Sequence, residues 1–451
     1  MRDRCEVLDW AASGAMALTG LPEGLPLTSP APALAMLAQV SAEFARVTVK
    51  TGQQVRAEPA ELLAGRAALA GFTRGGRVSA GGSSFLLRSA DGWCAVTLSR
   101  SDDVAAVPAI AGLLGADRAC PDAIVTRAEA CSALAAAALR TSAEEFAAAA
   151  QLVGVPAAAL PAGARPPVRG EAPQMGGGPW PPWRTTRIAA PLAGARLAGA
   201  VVADLSSMWA GPLCARLLGL AGAEVIKVES PARPDGARSG NREFFDWLHA
   251  GHRSLSVDFG TRAGRAVLAS LLEVADVVIE ASRPRALAAA GVAPDMIPHR
   301  PGQVWLSITG YGRSLPGRVA FGDDAAVAGG LVGWAASEPG GPVFCADAIA
   351  DPLSGACGAL AVARSRSAGG GELIDLSMRD VAAAFAAATP DHGPHDILAS
   401  GSVACPRSHR EQAVLAPRRP SPPAGPARHA AELGADTSAV LAWLAGRRAA
   451  C

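Results

Sequence analysis

The chain has 451 residues, of which half are hydrophobic and 18% are charged, and its formal net charge is +1. This length and composition allow a large buried core in two or three domains and exclude disorder throughout the chain. The near-neutral charge and the single tyrosine argue against an extended nucleic-acid surface, which requires clustered basic residues and stacking aromatics.

Membrane, disulfide and metal signals are weak in this sequence. The first twenty residues carry acids, and no run of about 18 uncharged apolar residues occurs, so neither a signal peptide nor a membrane span is predicted. The nine cysteines form no C-x-x-C pair, which favours reduced thiols and a cytoplasmic location. His392 and His395 lie in DHGPHD with no cysteine partner nearby, so no metal site is predicted.

The first region, residues 1–157, is predicted to be a small-domain-like α+β unit. A turn signal, ADG, separates two strand patterns, and two helix patterns each open with Ser or Thr followed by acids. The predicted elements are the strands SSFLLRS and WCAVTLS and the helices SDDVAAVPAIAGLL and TSAEEFAAAAQLVG. Residues 158–195 are rich in Pro and Gly, which predicts a linker.

Residues 196–391 alternate apolar strands with amphipathic helices. The predicted strands are GAVVADL, AEVIKVE, SLSVDF, DVVIEA, QVWLSITG and ELIDLSM. This alternation is typical of a parallel sheet covered on both faces. We therefore predict an α/β protein whose large domain is a doubly wound, mostly parallel, Rossmann-like sheet, beside the smaller α+β domain. Residues 392–451 are predicted to be a Pro-rich tail with a closing helix.

The turns of this region lack the common glycine signatures. SSMWAGPLC follows the first strand instead of G-x-G-x-x-G, and neither G-x-x-x-x-G-K-[ST] nor G-x-S-x-G occurs. Carboxylates remain, since Asp323, Asp324, Asp347 and Asp351 lie in one apolar, glycine-rich stretch. A carboxylate among small residues can reach an acyl group and act as a nucleophile. The alternative for Asp351 is a structural role as a helix N-cap, because Asp is a preferred N-cap and Pro fits the first helical turn.

Four blocks follow one another in a characteristic order. They are LSSMWAGPLCARLLGLAGAEVIKVESP, HRSLSVDFGTRAGRAVLASLLEVADVVIEASRP, QVWLSITGYG and AIADPLSGACGALAVARSRSAGGGELIDLSM. Their order and content resemble the family III CoA-transferases, the class that includes formyl-CoA, carnitine and bile-acid CoA-transferases and also α-methylacyl-CoA racemases. A weaker fifth match, GADTSAVLAWL, resembles the family's closing helix.

The resemblance implies transfer of CoA between an acyl-CoA thioester and a carboxylic acid through a covalent intermediate on Asp351, the acid ahead of Ser354-Gly355. It also implies a cytoplasmic homodimer that needs no metal and no permanently bound cofactor, with CoA as a substrate. The residues expected to contact substrate or CoA are Met208, Trp209, Ala210, Lys227, Glu229 and Asp324.

Two other functions compete with transfer. A racemase on the same fold needs two bases, and the family supplies a His in the block matching FGDD, where this chain has none. The second is a non-catalytic CoA-binding paralogue or partner subunit. It is suggested by the small-domain-like segment, which here precedes the α/β core, whereas in the family the small domain follows it.

Overall fold

The computed structural model describes residues 5–29, 31–115, 126–164, 180–281, 284–336, 340–388, 395–406, 408–422 and 429–449. The helices are α1 (Glu6–Ala12), α2 (Ala33–Thr51), α3 (Pro59–Ala70), α4 (Ser101–Ala105), α5 (Val107–Leu113), α6 (Arg127–Ala138), α7 (Ala143–Leu152), α8 (Ala210–Leu220), α9 (Arg242–His249), α10 (Arg262–Val274), α11 (Pro284–Ala289), α12 (Gly322–Ala328), α13 (Ala350–Ser367), α14 (Met378–Ala386) and α15 (Thr437–Ala449). The strands are β1 (Ser84–Arg88), β2 (Trp93–Thr97), β3 (Ala157–Ala159), β4 (Arg184–Arg187), β5 (Val201–Asp204), β6 (Glu224–Glu229), β7 (Arg253–Ser256), β8 (Val277–Glu280), β9 (Val304–Thr309), β10 (Val332–Ala335), β11 (Gly341–Phe344), β12 (Glu372–Ser377), β13 (Asp396–Ile397), β14 (Ser402–Cys405) and β15 (Arg410–Ala413).

A seven-stranded sheet organises the large region, in the order β4-β12-β9-β8-β5-β6-β7. Every neighbouring pair is parallel except β12 with β4. Without the edge strand β4, this is the strand order of the doubly wound dinucleotide-binding sheet, which reverses between β5 and β8. The predicted fold class is confirmed.

Helices cover both faces of the sheet. Successive residues of a strand point to opposite faces, so neighbouring strand residues pack against different helices. Val202 of β5 lies in one core with α8 and α13, while Val201 and Ala203 lie in another with α10 and α15. Small residues on α13 allow its close packing. A Cβ on Gly355 would lie 2.7 Å from the carbonyl oxygen of Ala210, so this position admits only glycine without a shift of α8.

The N-terminal region contributes to the main core more than the sequence predicts. Helix α2, which the pattern analysis did not predict, packs along α13 and buries Leu37 and Phe44 with the sheet. Strands β1, β2 and β3 form a separate antiparallel sheet whose own core includes α5, α6 and α7. Thus the small α+β unit exists, but the helices ahead of it belong to the packing of the large region.

Two predicted connecting regions contain further elements. The predicted linker includes β4, which pairs with β12 at the edge of the large sheet. The tail includes the small sheet β13-β14-β15 and the closing helix α15. The side chains of Asp436 and Thr437, just before and at the start of α15, accept hydrogen bonds from the backbone amides of Ser254 and Ser256 on the edge strand β7. Among the described residues, no helix combines the length and apolarity that crossing a bilayer requires.

Candidate active site

Asp351 lies in the first turn of α13, which belongs to the chain segment that connects strands β9 and β12 of the large sheet. The helix begins at Ala350 with Ile349 at its N-cap, and no side chain caps it. The interpretation of Asp351 as the N-cap is therefore wrong: its backbone amide already donates to the carbonyl of Ala348. The carboxylate still lies at the positive end of the helix dipole, where a negative charge is stabilised.

An acid cluster surrounds this carboxylate. Asp323 and Asp347 are buried, with 8% and 1% of their surfaces exposed, whereas Asp351 is only partly buried. The Arg66 guanidinium of α3 is the cation of the group, and its Nη1 lies 2.9 Å from Oδ1 of Asp347. Three carboxyl groups thus share one arginine, and Asp351 is the least buried of the three residues.

Desolvation changes the acidity of these groups. Burial raises the pKa of Asp351 to about 7, against a lowering by Arg66, and the nearby Asp323 and Asp347 raise it further. Burial likewise raises the pKa of Asp347 to about 6, with Arg66 again opposing the shift. The pKa of Asp323 is also raised by burial. Such coupled, perturbed acids are typical of functional sites, and they place the ionisation of Asp351 near neutral pH.

Tight backbone geometry holds the cluster. A Cβ on Gly322, the first residue of α12, would lie 2.4 Å from Oδ2 of Asp351 and 2.3 Å from the carbonyl oxygen of Ala348. Ala346 and Ala348 have φ values of 55° and 41°, a region that non-glycine residues rarely adopt. The strained segment around Asp347 therefore turns the chain sharply into α13, and glycine at 322 leaves room for the carboxylate.

Asp324, predicted to contact substrate, is fully buried. Its Oδ1 accepts hydrogen bonds from the Thr97 hydroxyl and from the Phe321 amide, both at 2.9 Å, so it closes the start of α12. Burial raises the pKa of Asp324 to about 8. The structure thus gives Asp324 a role in joining α12 to β2 and does not place it on an open surface.

The turn before α8 lies beside the acid cluster. The Arg66 guanidinium stacks 5.2 Å from the Trp209 ring centroid and 5.7 Å from that of Phe244, so it links this turn to Asp347. Trp209 and Ala210 are buried, whereas Met208 is 38% exposed with a φ of 73°. Met208 is therefore the exposed one of these three residues.

Lys227, predicted to contact CoA, is 2% exposed and already has three oxygen partners. Its Nζ lies 2.8 Å from Oδ2 of Asp235 and 3.9 Å from Oδ2 of Asp204, and it donates to the carbonyl of Ser206. Asp235 in turn accepts a hydrogen bond from the Met208 amide. The ammonium group thus holds the Met208 turn in place from beneath.

Glu229, the other predicted contact on β6, is 3% exposed. Both of its oxygens accept hydrogen bonds from Arg238, the shorter at 2.6 Å, and Oε1 also accepts from the Asp235 amide. Direct contact of Lys227 or Glu229 with CoA stays a prediction. The hydrogen bonds instead give both residues a structural role that fixes the loops above β5 and β6.

Sequence reasoning missed Arg66 and the role of Gly322. Arg66 lies in the pattern AELLAGRAAL, which is typical of a partly exposed helix, and its partner Asp347 is 281 residues away. No local pattern predicts such a pair. Gly322 was recoverable in principle, because a glycine directly ahead of two acids in an apolar segment indicates a close approach of the backbone.

Comparison with known proteins identifies the region that carries this site. Residues 197–419 match the model of CoA-transferase family III. The predicted resemblance to family III is confirmed. An acyl-CoA transferase of Fusarium pseudograminearum is 31% identical over 205 residues, which are 40% of this chain and 45% of that protein. The succinyl-CoA–L-malate CoA-transferase beta subunit of Chloroflexus aurantiacus is 32% identical over 197 residues, 40% of this chain and 49% of that protein.

The chain spans about half the length of these curated relatives. A crystal structure of a CAIB/BAIF family protein from Brucella suis is 28% identical, covers 43% of this chain and 55% of that chain, and has a TM-score of 0.38. The family III region includes Asp351 and the Met208 turn but begins well after Arg66. The cation of the acid cluster therefore comes from a part of the chain that the family model does not match.

Proposed function

We propose that this chain transfers CoA from an acyl-CoA thioester to a carboxylic acid, with Asp351 as the nucleophile. The Asp351 carboxylate attacks the thioester carbonyl, forming a mixed anhydride and releasing CoA thiolate. The thiolate attacks the aspartyl carbonyl, giving an aspartyl-CoA thioester and releasing the first acid. The acceptor carboxylate then attacks the aspartyl thioester, forming a second anhydride and releasing CoA thiolate. The thiolate attacks the acceptor's acyl carbonyl, giving the new acyl-CoA and freeing the Asp351 carboxylate.

The observation that carries this proposal is Asp351, a partly exposed residue at a helix N-terminus, within an acid cluster whose one arginine stacks on Trp209 of the turn before α8. The raised pKa of about 7 makes the carboxylate more basic than an ordinary aspartate and so a stronger nucleophile once ionised. Arg66 favours that ionised form because its charge opposes the shift.

Trapping the intermediate tests the proposal directly. The full chain is incubated with a panel of acyl-CoA donors and hydroxylamine, which converts an aspartyl anhydride or thioester into a hydroxamate. Peptide mass spectrometry is expected to place the hydroxamate on Asp351, and only when an acyl-CoA is present. Asp351→Asn should abolish both the adduct and turnover, with a fall in rate of about a thousand-fold or more.

Asp102→Asn is the matched control, since Asp102 is an exposed acid in the first turn of α4. It should leave adduct formation and turnover unchanged. Hydroxamate on another residue, or undiminished transfer by Asp351→Asn, would contradict the assignment.

A partner subunit or a non-catalytic CoA-binding paralogue is the second candidate. The observation that favours it is the burial of Lys227 and Glu229 in internal ion pairs, which leaves Met208 as the exposed residue among the predicted CoA contacts described here. In that case the chain binds CoA in equilibrium dialysis but forms no hydroxamate with any donor. Racemisation is less well supported, since Asp323 already accepts hydrogen bonds from the Ala348 amide and the Ser84 hydroxyl, and Asp324 accepts one from the Phe321 amide.

The resemblance also supports a cytoplasmic homodimer. Light scattering after size exclusion is expected to give twice the chain mass of 45.3 kDa. A mass of one chain across the concentration range would remove the dimer from the proposal.

A further inference from the structure

Three metal-binding side chains from distant parts of the sequence meet on the side of the molecule formed by α1 and the small sheet β13-β14-β15. The Sγ of Cys5 lies 3.0 Å from Nε2 of His395. The Sγ of Cys405 completes the group, and the three ligand atoms all lie within 4.8 Å of one another. Cys5 and Cys405 are buried, with 3% and 2% exposed, and His395 is partly exposed.

The surrounding fold fixes these positions. Cys5 immediately precedes α1, His395 immediately precedes β13, and Cys405 ends β14. Helix α1 packs against β14 and β15, and the amide of Leu415, just after β15, donates a 2.9 Å hydrogen bond to the carbonyl of Ala11. The three side chains are therefore brought together by the packing of α1, in the N-terminal part of the chain, against β14 and β15 in its C-terminal part.

The donor set has a clear chemical preference. Two thiolates and one imidazole are soft and borderline ligands, which bind zinc in preference to magnesium or calcium. A tetrahedral zinc ion with Zn–S of about 2.3 Å and Zn–N of about 2.0 Å separates its ligand atoms by about 3.5–3.8 Å. The spacing of Cys5, His395 and Cys405 is compatible with that geometry after small side-chain adjustments.

We propose that Cys5, His395 and Cys405 form a zinc site that joins the N-terminal helix α1 to the C-terminal sheet. Three protein ligands leave a fourth tetrahedral position for a solvent molecule, reached from the side of the partly exposed His395. Binding releases the two thiol protons and converts both cysteines to thiolates. No redox step is involved.

Burial of the two thiols is the cost that the metal offsets. Zinc binds the two buried cysteines as thiolates. Its binding free energy becomes part of the free energy of folding, because the unfolded chain does not hold the three ligands together. The site is thus expected to stabilise the contact between α1 and β14.

Metal analysis of the untagged full chain is the first test. Protein produced with zinc supplementation and purified without chelators should contain about one zinc per chain. After the metal is stripped, titration with Co²⁺ should produce the absorption bands of tetrahedral cobalt with a thiolate-to-metal transition. Zinc should then displace the cobalt and remove those bands.

Paired variants identify the ligands. Cys5→Ser and Cys405→Ser should each lose most of the zinc, while Cys131→Ser, which removes a partly buried thiol on the distant helix α6, should retain it. A second readout avoids dependence on variant folding. In the unmodified chain, zinc should slow alkylation of Cys5 and Cys405 by iodoacetamide at least about tenfold, while Cys131 reacts at the same rate with and without zinc.

Either of two results would overturn the proposal. One is an unmodified chain that binds no zinc or cobalt and whose Cys5 and Cys405 are alkylated equally fast in both conditions. The other is a disulfide between Cys5 and Cys405 in the purified chain, detected by mass spectrometry before reduction. Both results are independent of CoA transfer.

Discussion

The acid cluster around Asp351 and the one around Lys227 lie in the same region and differ in charge balance. In the Lys227 cluster, Asp204, Asp235 and Glu229 are opposed by Lys227 and Arg238. Burial alone would raise the pKa of Asp235, but Lys227 and several hydrogen bonds bring it below its usual value.

In the Asp351 cluster, three acids share Arg66, and burial keeps the pKa values of Asp347 and Asp351 raised to about 6 and about 7. With two cations for three acids, the Lys227 cluster contains one acid, Asp235, whose pKa is lowered, although burial still raises the pKa of Asp204. With one cation for three acids, the Asp351 cluster keeps a carboxyl group poised between its two protonation states. This difference supports the proposal that Asp351 is the nucleophile.

Removing Lys227 leaves the Lys227 cluster, like the Asp351 cluster, with three acids and one cation. This change is expected to have the largest effect on stability. Lys227→Met should lower the free energy of unfolding by about 3–5 kcal/mol at pH 7, because Asp204 and Asp235 lose their buried cation. The loss should shrink at lower pH as those acids take up protons. Urea unfolding followed by circular dichroism measures both effects.

The control is Lys50→Met, which removes an exposed lysine at the end of α2 and should change the unfolding free energy by less than about 0.5 kcal/mol. A Lys227→Met protein within that same limit would show that the ion pairs of the cluster do not hold the fold.

A methyl group at Gly322 tests the tight packing of the Asp351 cluster. Gly322→Ala should cost about 1–3 kcal/mol, since the new Cβ overlaps the Asp351 carboxylate and the Ala348 carbonyl oxygen. Transfer activity, if present, should fall because Asp351 is displaced. Thermal and urea unfolding give the stability, and hydroxamate yield reports the displacement.

Gly317→Ala is the matched change, because a Cβ there meets nothing within 4 Å. Equal effects of the two alanines on stability and on hydroxamate yield would contradict the proposed close approach.

Removing Arg66 leaves the Asp351 cluster without its cation and so increases its difference from the Lys227 cluster. Arg66 lowers the pKa of Asp351, so in Arg66→Met that pKa moves above about 7 and a smaller fraction of the carboxylate is ionised at pH 7. We expect a transfer rate about tenfold lower at pH 7, and a pH–rate profile shifted to higher pH.

Arg66→Lys should shift the pH–rate profile less than Arg66→Met does. The charge is kept, while the stacking on Trp209 and the geometry of the guanidinium are lost. An unchanged midpoint of the pH–rate profile in Arg66→Met would separate this arginine from the ionisation of Asp351.

The slope of stability with pH reports on Asp324, the buried acid at the start of α12. The pKa of Asp324 is about 8 in the folded chain, against an ordinary value of 3.8. Between these pH values the folded state holds a proton that the unfolded state has lost, so stability falls as pH rises. Asp324→Asn should flatten this fall between pH 5 and 8, measured as the melting temperature across that range.

Asp102→Asn, at an exposed acid, should leave the slope unchanged. Identical slopes for the unmodified chain and Asp324→Asn would mean that Asp324 is ionised in the folded state.

The sequence predicted the elements whose pattern is local. The six strands of the α/β region and the helix start at Ser142 were recovered, because apolar runs and capping residues directly express strand burial and helix initiation. Helix α2 was not recovered, although Leu37, Val40, Phe44 and Val47 recur along one face at the helical period. Strand β4 was hidden by the Pro- and Gly-rich sequence around it.

The candidate site was recovered only in part, for a physical reason. Asp351 and the Met208 turn belong to blocks with a recognisable order, so the resemblance could indicate them. The burial of Lys227, the capping role of Asp324 and the pairing of Arg66 with Asp347 depend on contacts between distant segments. Charge and spacing along the chain do not reveal which carboxylate a cation will reach.

The distance in sequence between Arg66 and Asp347 has a consequence for synthesis of the chain. The two residues are 281 positions apart, so at about 5–20 residues per second the ribosome adds Asp347 roughly a quarter of a minute to one minute after Arg66. During that interval α3 carries a guanidinium whose carboxylate has not yet been made. The ion pair between Arg66 and Asp347 can therefore form only after most of the chain has been translated.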